Sequence, residues 1–195
     1  MSHHLYQTEG IVLGSANIGE SNRYYHIFTK DLGLVMAFAQ GVRELKSKLR
    51  YHLQDFSYLS IDLIRGKDTW RVTSADTGAS FENIFRDKEK LALFAAVAQF
   101  LKRLLHGEER NEPLFDALTL GLHFLEKETF SKDELKNFEL LIVAKILHIL
   151  GYWGGNGETK ALLESKLDKD VLEKVTALRP TILGEVNRAL TESQL

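Results

Sequence analysis

Residues 41–52, Gly-Val-Arg-Glu-Leu-Lys-Ser-Lys-Leu-Arg-Tyr-His, gather Arg43, Lys46, Lys48, Arg50 and His52 against one carboxylate, Glu44. Guanidinium and ammonium heads at this density neutralise phosphate well, and arginine adds paired N–H donors that match two oxygens at once. Arg65, Lys67 and Arg71 form a second basic group, and Arg23 stands before two tyrosines, Tyr24 and Tyr25. Across residues 40–71 seven Lys and Arg face four Asp and Glu, an excess of three in a chain whose formal net charge is −2. Tyr51, beside Arg50, adds a ring on which a base could stack. The plainer reading of the loop is a solvated turn whose charges serve solubility, and that of the tyrosines is half-buried packing.

Other chemistry is poorly supplied. The 195 residues contain no cysteine, which removes disulfides, thiolate zinc sites and cysteine nucleophiles and fits a reducing cytosol. His106, His123 and His148 fall on different predicted helices without a carboxylate at ligand spacing. The glycine-rich run GYWGGNGETK, residues 151–160, is not a phosphate loop, because Glu158 and Thr159 precede Lys160 and Ala161 follows it. Neither a GxSxG elbow nor a dinucleotide glycine pattern is present. The expectation is a protein that is not an enzyme, with no catalytic residue, no metal and no cofactor. No apolar run reaches the roughly 18 residues of a membrane span, and the N-terminus does not read as a signal peptide, so a cytoplasmic protein is expected. Ser2, His3 and His4 are left out of functional reasoning, since they fit an affinity-tag remnant as well as a native start.

The basic side chains need a frame, and the first 80 residues supply one that reads as strands and turns. Leu59, Ile61 and Leu63 share a face of one strand and Trp70 and Val72 of the next, with Arg65-Gly66-Lys67-Asp68 between them and Arg71 pointing the other way. A second hairpin runs from His26–Thr29 through Asp31-Leu32-Gly33 into the alternating Leu34, Met36 and Phe38, and a first strand covers Gln7 to Leu13. Five short strands suit a small closed barrel. From Asp87 the period becomes helical, with Leu91, Phe94, Ala95, Ala98, Leu101, Leu104 and Leu105 on one stripe. Asn111-Glu112-Pro113 reads as a helix start, and Ser131-Lys132-Asp133-Glu134 as a capping box for a helix that Gly151 ends. Two shorter helices are predicted over 160–167 and 171–177, with Pro180 in the first turn of a last one.

The stretch TEGIVLGSANIGESNRYYHIFTKDLGLVMAFAQGVRELKSKL resembles the amino-terminal segment of the bacterial DNA repair RecO family. The matching elements are Thr8-Glu9-Gly10-Ile11-Val12-Leu13, Gly19-Glu20, Arg23, Phe28-Thr29-Lys30, Gly33, Ala39, Gly41, Arg43, Lys46-Ser47 and Leu53-Gln54, in the family's order. FELLIVAKILHILGY, residues 138–152, is similar to the family's long helix ending in Leu-Gly-Tyr. The resemblance implies an α+β protein, with a five-stranded OB-fold β-barrel over residues 1–80 and an all-α helical domain over 81–195. It also implies a non-enzymatic recombination mediator at the bacterial nucleoid. Such a protein binds single- and double-stranded DNA, anneals complementary strands, meets the acidic tail of single-stranded-DNA-binding protein, and works with RecR to load RecA. Two departures stand out. Many members carry a four-cysteine zinc module after the Leu-Gly-Tyr, whereas WGGNGETKALLE follows here; and Leu45 stands where a proline often precedes the lysine.

On this reading Arg23, Arg43, Lys46, Lys48, Arg50, Tyr51, Arg65, Lys67 and Arg71 form the DNA contact. If about five cations each neutralise a phosphate, log affinity for single strands falls against log salt with a slope of roughly −3.5. Lys102, Arg103, Arg179 and Arg188 are candidates for the rim of a pocket for the acidic tail, although Lys102 and Arg103 also suit the end of a long helix on dipole grounds alone. The rival functions are a protein-interaction adaptor with little DNA affinity and an OB module for RNA or another polyanion.

Overall fold

Alternating apolar residues in the amino-terminal part become five strands in the computed structural model, which describes residues 4–67, 69–155 and 157–192. They are β1 (Leu5–Ile18), β2 (Asn22–Thr29), β3 (Gly33–Ala39), β4 (Tyr58–Arg65) and β5 (Trp70–Thr77). The strands close into a barrel in the order β1-β2-β3-β5-β4. All neighbours are antiparallel except β3 and β5, which run parallel and pair Ala37 with Trp70 and Phe38 with Arg71. This is the five-stranded barrel of an OB-fold. Leu59, Ile61 and Leu63 fill the interior together with Val12, Ile27, Val35, Ala37, Trp70 and Val72. Burying each of the larger aliphatic side chains contributes about 1.5–3 kcal/mol. Asp68 of the expected hairpin, and Ser2 and His3, lie outside the described residues.

Three details depart from the sequence pattern. The first strand does not stop at Leu13 but continues to Ile18, because a bulge between Val12 and Gly14 bends it from pairing with β4 into pairing with β2. β2 starts at Asn22 rather than His26. On β3 the alternating Leu34, Met36 and Phe38 face outward, and the smaller Val35, Ala37 and Ala39 face the core. A narrow barrel has room for the small set. The large set finds partners outside, where the Phe38 ring meets Tyr24 at 5.4 Å between centroids. Gly33 opens β3 with φ +71°, and a Cβ there would lie 2.3 Å from the Glu109 carbonyl oxygen.

The remaining elements are helices: α1 (Leu49–His52), α2 (Glu82–Arg86), α3 (Lys88–Leu104), α4 (Glu112–Lys127), α5 (Lys132–Ile149), α6 (Gly157–Glu164) and α7 (Lys169–Glu192). The chain forms two compact units, one running through Phe81 and taking in Phe94–Glu112, the other made of Glu82–Leu93 and Pro113 onward. Residues 94–112, which the sequence assigns to the helical part, thus belong with the barrel; Phe94 packs on Phe56 at 5.2 Å.

In the helical unit Ser131 and Glu134 form the expected capping box of α5, with Ser131 N donating to Glu134 Oε2 at 2.6 Å and Glu134 N to Ser131 Oγ at 3.3 Å. Gly151, at φ +82°, follows its end. The short helix expected over 171–177 and the last one expected to open at Pro180 are instead one helix, α7, with Pro180 inside. Proline removes one N–H and crowds the preceding turn, but a long buried stripe of Val171, Leu172, Val175, Ile182, Val186 and Ala189 outweighs that local cost. Buried Asn137 of α5 donates to Thr176 Oγ1 at 2.7 Å and locks the two helices in register. Among the described residues no helix is long and apolar enough to cross a membrane.

Candidate nucleic-acid interface

Cross-strand pairing sets the direction of each side chain on β2. Tyr25 and Ile27 lie opposite Ala37 and Val35 and are buried with them, so Arg23, opposite Ala39, continues the same inward row at the end of β3. Here the row leaves the core and opens as the mouth of the barrel. Arg23 is held there by its own strand pair, with Nε donating to Asn17 Oδ1 at 2.7 Å.

The segment after β3 folds back across this mouth. Gly41 N donates to Asn22 Oδ1 at 2.8 Å, Arg43 N to the Ser21 carbonyl at 3.0 Å, and Arg43 Nη1 to the Gly19 carbonyl at 3.0 Å. Two successive turns, Glu44 N to Gly41 O and Ser47 N to Glu44 O, lead into α1. At its far end the Tyr25 hydroxyl donates to the Leu53 carbonyl at 3.2 Å, and His52 Nδ1 meets Thr77 Oγ1 at 3.0 Å. Val42 and Leu53 are both buried, so the segment is pinned by an apolar residue at either end and carries its polar residues between them.

The result is a cleft of about 420 Å³ lined by Arg23, Tyr25, Val42, Arg43, Arg50, Leu53 and Gln54. Tyr25, Val42 and Leu53 form a buried floor, and three guanidiniums with the Gln54 side chain form the rim. Gln54 Nε2 donates to the Arg50 carbonyl and so closes α1. Among the described residues, Arg23, Arg43 and Arg50 form no ion pair. Burial raises the Tyr25 hydroxyl above its ordinary pKa, while the Arg23 cation pulls it back. A cluster of positive donors over an apolar floor is suited to phosphate oxygens.

The remaining predicted residues are not all gathered there. Lys46, Lys48 and Tyr51 are exposed along the same segment, Tyr51 at 73%. Arg65 is engaged by Glu108 and lies over the Trp70 ring at 4.8 Å. Its cross-strand partner Trp70 lies beside Ala37 of β3, and Arg65 does not line the cleft. Lys67 is exposed in the β4–β5 hairpin. Arg71 is on the outer face, with Nη2 donating to Gln40 Oε1 at 3.0 Å. Arg65, Lys67 and Arg71 therefore do not line the cleft that Arg23, Arg43 and Arg50 share.

Nor do the four cations proposed for a partner pocket build one rim within a unit. Lys102 and Arg103 belong to the barrel unit, Arg179 and Arg188 to the helical one. Arg179 Nη1 donates to Asn137 Oδ1 at 2.6 Å and so helps hold α7 on α5, while Arg188 pairs with Glu185 at 3.1 Å. Among the described residues no group of three or more His, Asp or Glu is placed to hold a metal ion.

Gln54, which lines the cleft, and Asn17, which holds Arg23, are residues that the charge pattern does not single out. The available signal for Gln54 was the pair of apolar residues, Val42 and Leu53, that bracket the cationic segment and must be buried together.

The family model described as Recombination protein O N terminal matches residues 1–81, and that described as Recombination protein O C terminal matches residues 86–153. The DNA repair protein RecO of Dehalococcoides mccartyi is 33% identical over 149 residues, which is 76% of this chain and 57% of that protein. The DNA repair protein RecO of Alkaliphilus metalliredigens is 31% identical over 140 residues, 71% of this chain and 57% of that protein. For Rubrobacter xylanophilus the figures are 33% over 123 residues, 63% and 49%. The chain spans about half the length of the curated relatives it matches.

Proposed function

We propose, from the premise that this chain belongs to the recombination protein O family, that it acts in DNA repair and recombination as a non-enzymatic mediator. The observation that carries this is the cleft at the barrel mouth, where Arg23, Arg43 and Arg50 converge and, among the described residues, have no carboxylate paired to them. Single strands bind by their phosphates along this rim and along exposed Lys46 and Lys48, with Tyr51 as a stacking ring. Double strands bind more weakly by the same charges, since their bases are not open to a ring.

Annealing follows without covalent chemistry. Cations that neutralise two polyanions lower their repulsion and raise their local concentration while the bases remain free to pair. In the cell the chain acts on DNA covered by single-stranded-DNA-binding protein and with RecR prepares it for RecA. One observation favours the adaptor alternative: Arg65 and Arg71 are engaged within the fold, by Glu108 and Gln40, which leaves fewer free cations than the sequence suggests.

A fluorescence annealing assay over a salt series, with and without single-stranded-DNA-binding protein, tests the proposal. Replacing Arg43, Lys46, Lys48 and Arg50 together with Ala should slow annealing and flatten the single-strand salt slope by roughly 2 to 3. Unchanged affinity in that variant would favour the adaptor.

A further inference from the structure

We propose that the barrel-mouth cleft is a site for a phosphate carrying two negative charges, the phosphomonoester at the end of a DNA strand. This rests on the reading of the cleft as a DNA contact and names the group which that contact prefers.

The first argument is charge. Three guanidiniums line one cleft, and none is ion-paired among the described residues. Glu44 and Asp55 stand near the cleft, and among the described residues neither is ion-paired to one of its guanidiniums. Glu44 lies against the Gly41 backbone, where its Oε1 would be 3.3 Å from a Cβ, and Asp55 acts on the Tyr25 hydroxyl more weakly than either burial or Arg23 does. An internal phosphodiester brings one negative charge and two free oxygens. A terminal phosphate brings three oxygens and, near neutral pH, about 1.5 to 2 charges. The second ligand answers three two-pronged donors better than the first.

The second argument is shape. The floor made by Tyr25, Val42 and Leu53 is buried and apolar, so a ligand group that enters the cleft meets its polar partners at the rim, on the three guanidiniums and Gln54. A volume of about 420 Å³ exceeds what a bare phosphate needs and has room for the attached sugar. The third is preorganisation. Arg23 is held by Asn17 and also acts on the Tyr25 hydroxyl through a side-chain hydrogen bond, and Arg43 is held by the Gly19 carbonyl through one nitrogen, so both guanidiniums are fixed in place without a rotamer search.

The test uses the full chain and three oligonucleotides of one sequence, ending in a 5′-hydroxyl, a 5′-phosphate or a 3′-phosphate, competing with a labelled strand at pH 7.5 and pH 5. At least one phosphorylated strand should compete roughly five- to tenfold better than the hydroxyl strand at pH 7.5. That ratio should shrink toward one at pH 5, because the second phosphate ionisation lies near 6. The ratio, not the affinity, is read, since a change that acts on every strand alike cancels from it. Arg50→Gln, on the exposed side of α1, should abolish the ratio; Lys67→Gln, exposed in the β4–β5 hairpin and outside the cleft, should weaken all strands and leave it intact. Equal competition by all strands at pH 7.5 overturns the inference and leaves the DNA reading standing. Persistence of the ratio in Arg50→Gln also overturns it, by moving end recognition elsewhere. Displacement by ADP as effective as that by the phosphorylated strand assigns the cleft to free nucleotides and overturns the strand-end proposal. Loss of no DNA affinity when Arg23, Arg43 and Arg50 are all changed to Gln sinks the underlying reading itself.

Discussion

The hydroxyl of Tyr25, on the barrel wall, donates to the carbonyl of Leu53 at 3.2 Å, twenty-eight residues further along the chain. This bond fastens the far end of the cationic segment to the floor of the cleft. Tyr25→Phe leaves a buried carbonyl without its donor and should cost about 1 kcal/mol in urea denaturation. Single-strand affinity should fall with it, because Arg50 and Gln54 lose their fixed base. A variant as stable as the parent would show that the bond does not hold the segment.

Glu134 accepts from the Ser131 backbone N–H and from Lys169 Nζ at 2.8 Å, and these partners, Lys169 foremost, bring its pKa down to about 2. The folded pKa lies below the ordinary 4.5, so the group's contribution to stability is fully present above pH 4.5 and is lost as pH falls from there toward 2. Glu134→Gln should therefore be less stable than the parent at neutral pH and lose less stability on acidification. Parallel pH profiles of the two melting temperatures would refute this.

Lys90 is buried, and its Nζ donates to the Leu125 carbonyl at 2.6 Å and the Glu128 carbonyl at 2.7 Å, closing the end of α4. It also lies over the Phe130 ring. Lys90→Met keeps the stem and removes the donors, and should lower stability by about 2–3 kcal/mol. Urea unfolding of the full chain checks the magnitude.

His26, on the outer face of β2, has its pKa lowered below 6.5, chiefly by burial and then by the Lys102 ammonium. An NMR titration should find its midpoint below 6.5, and Lys102→Met should move it upward while leaving it depressed, since burial remains. The folded value lies below the unfolded one, so the associated stability is complete above pH 6.5 and is lost as pH falls through the folded pKa. A midpoint unmoved by Lys102→Met would show that the ammonium does not act on the ring.

The barrel was legible wherever one face of a strand is uniformly apolar, as along Leu59, Ile61 and Leu63. It was not legible on β3, where both faces carry apolar residues and only the width of the interior selects Val35, Ala37 and Ala39. The capping box of α5 is a local device and could be read directly from Ser131 and Glu134. The continuity of α7 through Pro180 is a tertiary effect, because local propensity argues for a break that packing overrides. In the cleft, Arg43 and Arg50 stand out by charge. That Arg23 joins them, while Arg65 and Lys67 do not, depends on how the closed barrel brings strand ends together.

The parallel seam between β3 and β5 pairs residues more than thirty apart in sequence, Ala37 with Trp70 and Phe38 with Arg71. Closing this hoop joins two hairpins across a long stretch of chain, so the clasp is expected to form late in refolding and to open before the rest of the wall. The Arg71 bond to Gln40 lies across that join as an outer latch. Amide protons at Phe38 and Arg71 should accordingly exchange sooner than those in the middle of β1 and β2.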